Sequence, residues 1–137
     1  MVKVIMGNRG SGKTKQVIDL VNIAVNEEAG SVVCVEKGQN LRFNIKYSAK
    51  LIDISEYPME LGYDYLFAFL CGLYSGNYDI THFFIDDLNK ILDDRSNEAL
   101  EKFLAELTRF SERENTDFTI TINADPAAAS EGLKKYF

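Results

Sequence analysis

The sequence predicts an α/β domain built on a mostly parallel sheet of about five strands. Three observations carry that expectation. Short β-rich runs alternate with stretches of helical apolar spacing. One run, Ser31-Val32-Val33-Cys34-Val35-Glu36, is almost continuously apolar, as a parallel strand covered on both faces must be. The chain has 137 residues, 46% of them hydrophobic, which is enough for one core, so 1–137 reads as a single domain.

Val2 to Met6 forms the first strand, glycines at 7, 10 and 12 form a loop, and Lys13 to Glu28 carries Val17, Leu20, Val21, Ala24 and Val25 at helical spacing. Gly30 stops that helix ahead of the second strand. Leu41-Arg42-Phe43-Asn44-Ile45-Lys46-Tyr47 alternates strictly, which predicts a half-buried edge strand, with another short strand between Lys50 and Ser55. From Pro58 to about Tyr74 apolar side chains fall on almost every side, so this helix should be deeply packed until Gly76-Asn77 ends it. Ile80 to Ile85 is a strand closing on Asp86-Asp87. Ser96 then caps a helix whose stripe is Leu100, Phe103, Leu104, Leu107 and Phe110. Phe118 to Ile122 is the last strand. Asp125-Pro126 is a cap and first-turn proline expected to open a final helix running toward Phe137.

A net charge of −6 and a pI near 4.8 repel phosphate backbones and anionic lipid at long range. The exception is the acid-free stretch 37–50, where Lys37, Arg42, Lys46 and Lys50 interleave with Phe43 and Tyr47. Strand alternation would put Arg42, Asn44 and Lys46 on the face opposite Phe43, Ile45 and Tyr47, separating cations from rings. That suits a charged edge strand resisting aggregation, so nucleic acid is not an expected partner. The chain opens directly into a strand and holds no apolar stretch long enough to span a bilayer, so the expected setting is the cytoplasm, with no membrane partner. Cys34, Cys71 and a single histidine, His82, support neither a zinc site nor a disulfide framework. The thiols are expected free and buried, and His82 structural.

Gly7-Asn8-Arg9-Gly10-Ser11-Gly12-Lys13-Thr14 fits G-x-x-x-x-G-K-[ST], the Walker A pattern, and lies between a strand and a helix. Glycines there let backbone N–H groups turn inward around phosphates, and the helix N-terminus adds positive potential. Lys13 would reach the β- and γ-phosphates, Thr14 would offer its hydroxyl to Mg²⁺, and Arg9 could touch the γ-phosphate. Such a loop calls for an acid at the end of an apolar strand to orient the Mg²⁺ shell. Phe83-Phe84-Ile85-Asp86 supplies one, with Asp87 next to it as a candidate for polarising the attacking water.

With these motifs the chain resembles the P-loop NTPase superfamily. The resemblance implies a three-layer fold, ATP held by residues 7 to 14, and Mg²⁺ held through Thr14 and Asp86. The guanine-reading N-K-x-D motif of GTPases is missing, since Thr121-Ile122-Asn123-Ala124-Asp125 has no lysine. The chain looks most like a minimal, stand-alone member of the RecA-like branch, in which an additional strand lies between the two Walker strands. On that resemblance Asn123 corresponds to the polar sensor closing the additional strand, and Glu36, at the end of the strand after the P-loop helix, to the water-activating base. Lys13, Glu36 and Asp87 are then the catalytic candidates. The activity implied is a Mg²⁺-dependent ATPase driving a conformational or assembly change. A nucleotide-binding module acting through partners and a small-molecule kinase remain open beside it. Arg109 and Arg113, on one helical face, would serve as a finger toward a protein partner or second copy, or pair with Glu106 and Glu112.

Overall fold

The computed structural model describes all 137 residues, Met1–Phe137. Five strands, β1 (Val2–Gly7), β2 (Ser31–Glu36), β3 (Lys50–Asp53), β4 (Ile80–Ile85) and β5 (Asp117–Asn123), form one sheet in the order β1-β5-β4-β2-β3. Every neighbouring pair is parallel. Five helices join them: α1 (Lys13–Glu27), α2 (Tyr63–Gly76), α3 (Leu88–Ile91), α4 (Asn97–Glu114) and α5 (Glu131–Lys134). β5 lies between β1 and β4, so the strand closing on Asn123 separates the strand before the glycine loop from the strand before Asp86.

Alternation along each strand divides the core into two layers of packing. Val33, Val35, Phe83, Ile85, Phe118, Ile120 and Ile122 face α2 and α4, where Leu66, Leu70, Phe103, Leu104 and Leu107 complete a core of 22 buried residues. Ser96 caps α4 by accepting from the Ala99 amide at 3.2 Å. Val32, Cys34 and Phe84 face the other way, toward Val17, Val21 and Ala24 of α1. A single helix cannot cover that face. Part of it is filled by His82, whose ring stacks on Phe84 with centroids 4.1 Å apart and bonds Glu28 and Thr119 at 2.8 Å each. The rest is covered by the segment between β2 and β3.

That segment corrects one expectation. Leu41–Tyr47 is not a strand; it folds as successive turns. Leu41, Ile45 and Ala49 point inward to join the α1 layer, a spacing of four that overrides the spacing of two. Its backbone is satisfied by α1 in place of a sheet: Asn22 Nδ2 donates to the Asn44 carbonyl at 3.0 Å and Asn22 Oδ1 accepts from the Lys46 amide at 2.9 Å. The final helix is also shorter than expected. Pro126–Ala128 is one 3₁₀ turn capped by Asp125, and Ser130, itself tied to Glu101 at 2.6 Å, restarts the chain as α5. Both thiols are free, Cys34 buried and Cys71 only partly so. No helix is long and apolar enough to cross a membrane.

Candidate functional site

Carboxyl ends of parallel strands are where open α/β sheets gather ligands. Here alternation does the gathering. Cys34 and Phe84 face α1, so the residues two further on, Glu36 and Asp86, emerge on that same face, and so does Thr121 on β5. They meet the N-terminus of α1 around a cleft of about 540 Å³. Of the residues anticipated from the sequence, Arg9, Gly10, Gly12, Lys13, Thr14, Glu36, Asp86, Asp87 and Asn123 line it. Gly7, Asn8 and Ser11 do not. Those three shape the loop from behind: Lys13 Nζ donates to the Asn8 carbonyl at 2.9 Å and to Ser11 Oγ at 3.4 Å, and a Cβ on Gly7 would collide with Ser11.

Gly10 and Gly12 have φ of +83° and +87°, the left-handed region that side chains with a Cβ rarely enter. Gly12 is the N-cap of α1 and brings no side chain to cap it, and the first turn contains no acid. The first intrahelical donor is the Gln16 amide, bonding the Gly12 carbonyl at 3.1 Å. The amides ahead of it lack acceptors within the helix and face an all-polar cleft, which suits an anion.

Across the cleft, Asp86 is held by Thr121, whose hydroxyl donates to Asp86 Oδ1 at 2.8 Å and accepts from the Asp87 amide at 2.7 Å. Burial pushes the Asp86 carboxyl above its ordinary value, and Asp87 adds to the rise; Thr121, Lys13 and Lys90 oppose it. Asp87 itself is left-handed at φ +56° and begins α3 without capping it, so its carboxylate accepts no hydrogen bond from the protein. Glu36 differs. Only 1% exposed, it accepts from the Asn40 amide and Asn40 Nδ2 on one oxygen and from the Leu41 amide on the other, at 3.1, 3.3 and 3.1 Å. Burial raises its carboxyl, and the three donors pull the other way.

Sequence reasoning missed Thr121, Lys37, Asn40, Lys90 and Asn89. Asn89 Oδ1 accepts from the Asn123 amide at 2.7 Å, tying α3 to β5. Thr121 left a signal: Thr119 and Thr121 are polar residues at strand spacing in an apolar run, and they bond His82 within β4 and Asp86 just after it. Lys90 stands four positions after Asp86, on the short helix α3. Arg109 and Arg113 are not part of the cleft lining; Arg113 bonds Glu114 at 3.0 Å and lies over the Phe110 ring.

The residues fit a magnesium-bound polyphosphate. Lys13, Lys37, Lys90 and Arg9 bring four cations to a cleft that no hydrophobic residue lines. Thr14 and Asp86 are too few donors for an all-protein metal cage, and no cluster of three or more metal-ligating side chains exists. A site with one hydroxyl and one carboxylate suits Mg²⁺, which keeps waters and phosphate oxygens in its shell. Compared with models of known protein families and with curated proteins, the sequence finds no significant match.

Proposed function

We propose that the chain binds ATP with Mg²⁺ at the 7–14 loop and hydrolyses it. The single observation that supports this most is the uncapped N-terminus of α1, entered through two left-handed glycines, beginning at Lys13 and sharing its cleft with Asp86. In this reading the α1 amides and Lys13 hold the β- and γ-phosphates, and Arg9, Lys37 and Lys90 offset the remaining charge. Thr14 and Asp86 hold Mg²⁺, which when bound neutralises charge developing on the phosphate oxygens. Asp86 must be ionised for that; burial works against its ionised form, and the Thr121 hydroxyl, Lys13 and Lys90 favour it.

For the water-activating acid we favour Asp87 over Glu36. A general base needs a free lone pair within reach of the proton it takes, and Asp87 has its whole carboxylate free while Glu36 already accepts three hydrogen bonds. Glu36 is better suited to transmission. Its side chain lines the cleft and also fastens the start of the 37–49 loop, so a change at the γ-phosphate would be felt in that loop. Binding without turnover is a second reading, supported by the same engagement of Glu36.

The test is phosphate release under saturating Mg²⁺-ATP. Asp87→Asn should lower turnover by about 10²–10⁴-fold while nucleotide affinity is kept. Wild-type release no faster than solvent hydrolysis, with binding intact, would favour the binding module.

A further inference from the structure

The turns at 41–49 that replace the expected strand also rearrange its side chains. With Leu41, Ile45 and Ala49 turned inward, the outer surface carries both cations and rings: Arg42, Phe43, Lys46 and Tyr47 are all exposed. Phe43 is 89% and Tyr47 100% exposed, the two most exposed large hydrophobic residues of the chain. Phe43 contacts the Arg42 guanidinium, 5.5 Å from its centroid, and neither ring is packed against an aromatic neighbour. Segment 37–52 contains no acid, and none of Lys37, Arg42, Lys46 and Lys50 is in a salt bridge. On a chain of net charge −6 this is a local concentration of unneutralised positive charge.

We infer that this surface binds single-stranded nucleic acid, the bases stacking on Phe43 and Tyr47 and the phosphates pairing with Arg42, Lys46 and their basic neighbours. Cations that track a backbone, interleaved with bare rings, are what sequence-tolerant single-strand binding uses, because every base has a π-face. Duplex is a poorer match, since its bases already cover each other. A lipid surface fits less well too: inserting into one takes a continuous apolar face, and here the one apolar residue between the rings, Ile45, points into the core. The loop is also rigidly presented. Asn22 holds its backbone, Asn26 Oδ1 accepts from Lys46 Nζ at 2.7 Å, and Gln39 Oε1 accepts from Arg42 at 2.9 Å, so little freedom is lost when a strand docks.

The experiment is fluorescence anisotropy with labelled dT and rU 12-mers at low salt, the full chain as titrant and an equal-length duplex as comparison. Wild type should bind the single strands more tightly than the duplex, and affinity should fall as salt rises. Phe43→Ala and Tyr47→Ala should each weaken binding about 10-fold with an unchanged melting temperature, since neither ring supports the core. Arg42→Gln should weaken binding and make the salt dependence shallower. Phe43→Trp should retain affinity, and because the chain has no other tryptophan its emission should quench when the strand is added. The inference is overturned if wild type binds neither oligonucleotide, or if both alanine variants bind as wild type does. It is equally overturned if vesicles of phosphatidylcholine and phosphatidylserine, in place of the oligonucleotides, are what the alanine variants lose. The relative strength of the dT and rU arms tells DNA from RNA.

Discussion

Two polar loops leave the same sheet edge and line the same cleft, the one after β1 at residues 8–12 and the one after β2 at residues 37–49. Their internal economy is opposite. The first leaves donors unused: glycines replace side chains, and the first-turn amides of α1 have no acceptor within the helix. The second is pinned to its surroundings: Glu36 and Asn22 bond its backbone, Asn26 holds Lys46, and three of its residues are buried in the core. Proximity to a ligand site therefore says little about what a loop is for. Unsatisfied hydrogen-bonding groups are the better sign, because a fold tolerates them only at a surface where something else can complete them.

Four measurements can break or sharpen that comparison. The largest effect is expected at Lys13, which is half-buried and whose Nζ bonds only its own loop. Mg²⁺-ATP at 100 times its dissociation constant should stabilise wild type by about 2.7 kcal/mol, and Lys13→Ala should lose the thermal shift while melting normally without nucleotide. An undiminished shift would place the nucleotide elsewhere. Glu36→Gln should do the reverse. An amide offers one acceptor where the carboxylate offered two oxygens, so buried loop donors are left bare, and chemical denaturation should show a loss of about 1–3 kcal/mol. Unchanged stability would mean that the 37–49 loop is not fastened there.

Asn22→Ala removes both bonds from α1 to the loop backbone at a half-buried position, a loss of about 1 kcal/mol. Hydrogen exchange should report it locally, as lost protection of the Lys46 amide with the sheet amides unaffected. The smallest effect concerns pH. Glu36 titrates above its ordinary 4.5 in the folded chain, so the folded state takes up its proton first. Stability should rise as pH falls from neutral through that raised value, and level off below 4.5. Asp86 contributes with the same sign, so the difference between wild type and Glu36→Gln isolates the Glu36 part. A stability curve of identical shape in the two proteins would remove burial of Glu36 as the cause.

What could be read from the sequence was local. β1, the glycine loop and α1 follow from consecutive residues whose conformations are dictated by glycine and by apolar spacing, and β4 ends just ahead of Asp86 because the apolar run ends there. Leu41–Tyr47 reads as a strand because its apolar residues fit two periods at once. The choice between them depends on distant partners, Val17 and Val21 beneath it and Asn22 beside it. The break between the proline turn and α5 has the same origin, since Ser130 is held by Glu101, 29 positions away. In the cleft the sequence exposed the residues that motifs fix by spacing. Thr121 and Asn89 were hidden because they act by bonding a neighbouring strand or its terminal amide, and register is a property of the sheet.

The thin cover over the α1 face has one more consequence. Cys34 is wholly inaccessible beneath Leu41, Ile45 and Ala49, and burial pushes its thiol well above the usual range, so while the cover is down it is protonated and shielded from reagent. Cys71 sits on α2, in the opposite layer and partly open. The chain thus contains its own two-channel clock. A thiol reagent should modify Cys71 at a rate that ignores the loop, whereas modification of Cys34 counts the moments when residues 41–49 lift, with and without a ligand in the cleft.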